Sequence, residues 1–271
     1  MKYWKYIILI VLSAFTLSCE EQIVWPLNNQ TSDLIVVEGV LTNENKPHII
    51  KLSKPYKEQN IVPEAVSGAI VTIKEEDNNN IKTYTTTEFP LGSGLYLTDS
   101  LRAFSGKLYT LTIFYNNTTY EASDSPPSTE PMPAIDNNLK TDSTYVLNFN
   151  ASGENPNYIK HYLNWQGIEG CIIATECEAE IIFYDLKTID IQQQFKPDQE
   201  IIEFPEGTMI IRKKYSVSNA YQEYLRGMLS ETAWRGGIFD GYQANAATNL
   251  SEGAVGFFAV STVVSDITII K

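Results

Sequence analysis

The chain has 271 residues, 43% apolar and 11% aromatic, with 20 Lys and Arg against 33 Asp and Glu. This composition supports a packed core and excludes disorder, and the length allows one large or two ordinary domains. A net charge of −13 with no basic run repels nucleic acid and anionic lipid, and it leaves two readings of the surplus acid open, solubility or a cation-facing surface.

Residues 1–18 begin with Lys2 and Lys5 and continue into the apolar run YIILIVLSAFTL. A spanning helix needs about 20 apolar residues, so this run is too short to cross a bilayer. A basic start, an apolar middle and small residues at the end read as a secretory signal peptide. Ser18 and Cys19 then supply the small residue and cysteine that bacterial lipoprotein processing uses. In that processing the sulfur takes a diacylglycerol, and cleavage leaves Cys19 as the new N-terminus. Thr16 stands where Leu is commoner; the alternative is an ordinary signal peptide with an incidental cysteine. Three cysteines in a secreted chain leave one over if two pair, and lipidation of Cys19 uses the odd one. Two or three acyl chains anchor firmly, since each buried methylene contributes about 0.8 kcal/mol. Residues 19–32 read as a tether.

Residues 33–123 read as a β domain with strands at 34–41, 48–54, 69–75, 81–87, 94–98, 108–115 and 118–122. These runs are rich in Val, Ile, Thr and Tyr and are split by Asn, Gly and Pro. In LYTLTIFY, Tyr109, Leu111, Ile113 and Tyr115 share one face, and Thr110 and Thr112 the other. Period two marks a half-buried strand. The Asn content of EEDNNN and YNNT marks hairpin turns. Strand number and length fit an immunoglobulin-like or transthyretin-like β-sandwich. SDSPPSTEPMP then carries four prolines, which hold neither a ladder nor a helix. Residues 124–135 are expected to be a stiff linker at a domain boundary.

Residues 136–271 read as a second β-rich domain, with strands at 144–150, 158–166, 180–186, 200–204 and 208–217. Tyr221, Tyr224, Leu225, Met228 and Leu229 recur at helical spacing. This predicts one helix near 219–230, with Asn219 and Gln222 as a capping box. GAVGFFAVSTVV and DITIIK close the chain as strands, and no repeat links the two halves.

Catalytic signatures are thin. His48 and His161 stand on either side of the linker, each in a strand with apolar neighbours, and read as surface or packed residues. No nucleophile elbow, zinc motif, Walker loop or dinucleotide fingerprint occurs, so neither a cofactor nor a metal site is expected. EEDNNN lacks the alternating ligands, glycine and distal glutamate of a calcium loop. Cys171 and Cys177, in CIIATEC, are expected to form a disulfide in an oxidising compartment; free buried thiols are the alternative. Trp165 alternates with Ile159, His161 and Leu163 and reads as core. Trp25 is a further aromatic candidate, and Trp234, between the helix and a glycine pair, is the candidate contact face.

The lipobox cysteine, then DLIVVEGVLTNENKPHIIKLSKP, AVSGAIVTIKEE, GSGLYLTD, SGKLYTLTIFYNNTTYEAS and the closing NLSEGAVGFFAVSTVV, resembles the Bacteroidota lipoprotein family known as domain of unknown function 4249. Glu20 and Glu21 resemble the acidic signal that follows the lipidated cysteine in lipoproteins displayed on the outer face of the outer membrane. The resemblance implies a two-part, mostly β lipoprotein in the outer membrane. It implies a TonB-dependent receptor as partner, because such genes commonly neighbour members of the family. It assigns no catalytic residue and carries over only Cys19. The expectation is therefore a non-catalytic, surface-exposed accessory of a TonB-dependent transporter. The rivals are an adhesive or structural surface module and, more remotely, a surface glycan or peptide hydrolase.

Overall fold

The computed structural model describes residues 34–56, 61–78, 80–141, 143–151, 153–169, 171, 173, 176–187, 201–232 and 247–271. The first part of the chain forms β1 (Ile35–Thr42), β2 (Ile49–Ser53), β3 (Ile70–Asp77), β4 (Asn80–Glu88), β5 (Leu95–Thr98), β6 (Leu108–Tyr115) and β7 (Thr118–Asp124). The second part forms β8 (Asn137–Leu139), β9 (Thr144–Leu147), β10 (Asn157–Asn164), β11 (Glu178–Asp185), β12 (Phe204–Pro205), β13 (Met209–Ser216), α1 (Asn219–Glu231), β14 (Ala254–Ser261) and β15 (Val263–Ile269). The protein is mainly β with one helix among the described residues, as the alternating pattern requires. The paired asparagines make the expected turn: Asn116 and Asn117 have φ of 49° and 59°, as a two-residue hairpin turn needs.

Eight strands form one sheet in the order β14-β1-β2-β5-β4-β3-β6-β7. Residues 80–85 of β4 pair with β3, and residues 86–88 pair with β5, so this strand carries the sheet round a corner. The two edges then meet. Ala122 bridges Leu250, Ser251 N donates to Glu121 O at 2.9 Å, and Val260 N donates to the Asp124 carboxylate at 2.8 Å. The result is a nearly closed, barrel-like sheet, where the sequence pattern suggested a self-contained sandwich over residues 33–123.

The barrel takes its last strand from the far end of the chain. β14 pairs with β1 in parallel along its whole length, Ile35 opposite Ala254 through Thr42 opposite Ser261. Its FFAV run is apolar without alternation because both faces are covered. Phe258 and Val260 enter the barrel core with Ile35, Ile50, Ile73 and Leu111. Phe257 and Ala259 point the other way, into a second core with Tyr158, Tyr215, Tyr221 and Leu225. Close approach needs Gly256, whose φ is 98° and where a Cβ would collide with the Val37 carbonyl. The two expected domains therefore share a strand, and the second core lies on the junction.

One residue, Thr262, separates β14 from β15, which belongs to a different sheet, β11-β10-β13-β15. The crossing is clamped from three sides. Thr262 N donates to Ser216 Oγ at 2.8 Å, Thr262 Oγ1 to Pro127 O at 2.7 Å, and Val263 N to Asn43 Oδ1 at 2.7 Å. An ion pair between Lys213 and Glu44 at 2.6 Å reinforces the joint. The proline segment is thus laid along the body. Pro126 is buried, and Glu130 accepts from Glu154 N at 2.8 Å and faces the buried Lys214 ammonium at 3.7 Å. A short third sheet, β12-β9-β8, covers the apolar end of β10 and β13 over Leu163, Ile181, Phe204 and Ile210.

The helix has the expected face but a different cap. Ser218 is the N-cap, its hydroxyl accepting from Tyr221 N, and Asn219 is the first helical residue. The expected capping box is displaced, because serine one position earlier already satisfies the first free amide. Gln222 instead donates its side-chain amide to Leu186 O at 2.6 Å, which ties the helix to the end of β11.

Candidate functional site

The register of the barrel decides which loops meet. Val36 is opposite Ser53, Lys51 opposite Leu95, Tyr96 opposite Glu88, Ile70 opposite Phe114, and Tyr115 opposite Thr118. The start of β1, the 54–69 connection, the 89–94 turn and the Asn116–Asn117 turn therefore share one end of the barrel. The joint at Asn43, Asp124 and Thr262 lies at the strands' other ends.

Glu88 braces this loop end. One carboxylate oxygen accepts from Ser67 Oγ at 2.8 Å and Gly68 N at 3.2 Å. The other accepts from Gly92 N at 3.1 Å and Gly94 N at 2.9 Å. Desolvation raises its pKa, but these four donors outweigh that and hold the carboxyl below its usual range. Gly94 has φ 69° and stands where a Cβ would run into the Leu52 carbonyl, so the turn requires glycine there. Held this way, the turns present apolar side chains outward. Val62 and Leu91 are each 87% exposed, the highest values among the large apolar side chains described, and Phe89 is 67% exposed. Tyr56, Ile61, Val62 and Pro63 line a groove of about 480 Å³ against β2 and Ser93. Lys54 adds a cation, its ammonium 5.8 Å above the Tyr115 ring. Exposed apolar side chains grouped at one end of a barrel make this end a candidate contact surface.

A second polar feature lies inside. His161 on β10, Arg212 on β13 and Asp266 on β15 stand opposite one another across the second sheet. The Arg212 guanidinium donates twice to Asp266, through Nε at 2.9 Å and through Nη2. Phe149 meets the His161 ring edge-on at 5.0 Å. Burial, followed by the Arg212 charge, pushes the imidazole down to about 4, and its Nδ1 has no hydrogen-bond partner among the described residues. The adjoining pocket of about 120 Å³ is lined by residues 133–136 and 147–150. The imidazole is kept neutral beside a guanidinium already matched by its own carboxylate. The other histidine is buried in the barrel, Nε2 3.0 Å from Leu101 O, so the two are packed in separate cores.

Cys171 and Cys177 form the expected disulfide, with Cα atoms 5.9 Å apart. Trp165 is half-buried against Leu163 and Phe204 in the third core. Cys19, Trp25 and Trp234 lie outside the described residues. The loop-end patch was not anticipated; its signal was the exposed-looking FPLGSG phrase, which reads only as a turn. Among the described residues no group of three His, Cys, Asp or Glu side chains could hold a metal ion, and no helix is long and apolar enough to cross a membrane.

These features define a mainly β protein whose barrel-like sheet carries a braced apolar loop end and shares a strand with a second sheet. Residues 20–267 match the family described as "Domain of unknown function (DUF4249)". The chain belongs to that family. No curated protein matches it.

Proposed function

We propose that the protein is an outer-membrane lipoprotein, anchored through Cys19 and facing the cell exterior, that serves a TonB-dependent transporter as a non-catalytic contact partner in nutrient uptake. The support from sequence is the signal segment, the lipobox Ser18–Cys19 and the acidic Glu20 and Glu21. The family resemblance points to the partner. In fold terms, the barrel-like sheet of the first part serves the scaffold role of an immunoglobulin-like or transthyretin-like module.

The observation that carries the contact reading is an apolar strip on the outer face of the second sheet. Met209 is opposite Ile269 and Ile211 opposite Ile267. Ile267 and Ile269 are 66% and 58% exposed, on the outermost strand β15. An edge strand with exposed apolar side chains is a ready surface for a partner chain. Membrane confinement raises the effective concentration toward an embedded partner, so a modest interface suffices.

The test is affinity recovery of the tagged lipoprotein from solubilised outer membranes. A TonB-dependent receptor should co-purify, and Ile267→Asp with Ile269→Asp should lose it. Cys19→Ala should release the protein from membranes. Repeated recovery without a receptor, with normal uptake in a deletion strain, would favour the adhesive or structural reading.

A further inference from the structure

We infer that the loop end of the barrel is a lipid-facing surface, with Val62, Phe89 and Leu91 resting in the headgroup region of the bilayer that holds the anchor. The inference rests on the reading of Cys19 as the lipidated residue. Three observations carry it.

The first is where the tether enters. Leu34 begins the described chain and β1 starts at Ile35, on the same end as the 54–69 and 89–94 loops. Fifteen residues link Cys19 to Leu34 and span at most about 50 Å when fully extended. The strand ends at the joint lie a further strand length away, about 25 Å for eight residues. The chain therefore leaves the body toward its anchor from the loop end.

The second is the side chains there. Val62 and Leu91, the most exposed large apolar side chains described, both belong to this end. Val62 stands on one loop, and Leu91 with Phe89 on another. Separate apolar tips suit a fluid surface, which needs no matching shape. Apolar and aromatic groups buried about 5–10 Å into the headgroup boundary contribute affinity in proportion to their area.

The third is charge and rigidity. Glu88, at the base of the 89–94 turn, is turned inward onto four donors, and the turn itself carries no acidic residue, so Phe89 and Leu91 meet lipid without a carboxylate of their own turn. Lys54 lies at the same end of the barrel, over Tyr115, where an ammonium can meet lipid phosphate. Loops already braced lose little further freedom on docking. The second sheet, joined at the opposite ends of the strands, then projects away from the membrane with its β15 strip available.

The experiment places tryptophan at three exposed sites of the full-length lipoprotein, Val62→Trp, Leu91→Trp and, as the distant control, Ile267→Trp. Each variant is reconstituted into phosphatidylethanolamine–phosphatidylcholine vesicles with brominated acyl chains, and the parent's emission is subtracted. Val62→Trp and Leu91→Trp should show a blue shift and several-fold greater quenching by the brominated lipid than Ile267→Trp. Mass spectrometry of the Cys19 peptide separates the two claims. An acylated protein whose Leu91→Trp stays quenchable by aqueous iodide and blind to bromine overturns the inference alone. An unacylated protein that still shows lipid quenching at Leu91→Trp sinks the anchor reading and keeps the surface. Protection that arises without lipid and grows with protein concentration, or only with added outer-membrane protein, assigns the patch to a second copy or a protein partner and overturns it.

Discussion

Asn43 and Val263, 220 positions apart, exchange two hydrogen bonds: Asn43 Nδ2 donates to Val263 O at 3.1 Å, and Val263 N donates to Asn43 Oδ1 at 2.7 Å. A side-chain amide thus pairs with a backbone amide as another strand would, at the point where the chain leaves the barrel for the second sheet. Asn43→Ala should cost about 1–3 kcal/mol, because it strands both main-chain groups in a partly buried place. The urea midpoint should fall with the m-value unchanged. A parent protein that unfolds in two separate steps would show the parts to be uncoupled.

Phe257 and Phe258 serve different cores from adjacent positions. Each change to Ala should destabilise by about 3–5 kcal/mol. Because both sit on β14, either variant should lower the stability of the whole described body. Barrel amides and β10–β13 amides, followed by hydrogen exchange, should lose protection together in both variants. Loss confined to one sheet in either variant contradicts this.

The buried His161 makes stability depend on pH. Burial and Arg212 hold its native pKa at about 4 against 6.5 unfolded. The unfolded chain therefore binds a proton that the native one refuses, and stability falls as pH drops from 6.5 toward 4. The loss attributable to this group is about 2–3 kcal/mol. His48, also lowered by burial, adds in the same direction. His161→Asn should flatten the stability-versus-pH curve over that window; an unchanged slope would remove His161 from the account.

Cys171 and Cys177 are six positions apart. A loop this short limits the unfolded chain only a little, so the double change to Ser should cost about 2 kcal/mol. The thermal midpoint should drop modestly, with the far-ultraviolet spectrum retained. Alkylation of the native protein without reductant should label neither thiol.

Glu88→Ala should free the 89–94 turn. The amides of Gly68, Gly92 and Gly94 should exchange faster, while those of β3 and β6 keep their protection. Acid should do the same reversibly, since the bracing carboxylate is lost as pH falls through its depressed pKa. Equal protection of these amides in Glu88→Ala and the parent would mean that the turn holds itself.

Much of the barrel was legible because its strands alternate and its turns carry Asn and Gly. The span 108–115 was read to the residue, and the other first-part strands to within two positions at either end. Pairing was less legible. Nothing in GAVGFFAV names β1 as its partner, although a run apolar on both faces already says that both sides are covered. The three-residue β8, Asn137–Leu139, is too short and polar to show a period. The cap moved from Asn219 to Ser218 because two good capping residues stand side by side. The loop brace was invisible because three of the four donors to Glu88 are backbone amides, which no side-chain pattern announces.

The parallel pairing of β1 with β14 sets a timetable for the chain's synthesis. Ile35 is made long before its partner Ala254. At roughly 5–20 residues per second, the edge of β1 waits on the order of ten to forty seconds for its neighbour. Such long-range pairing is slow in itself, and an unpaired apolar edge is open to other chains. The barrel cannot be finished piecewise during its emergence. A chain that stalls or is cut before residue 254 leaves β1 exposed, so quality control has a distinct signal to read: a nearly complete barrel with one seam still open.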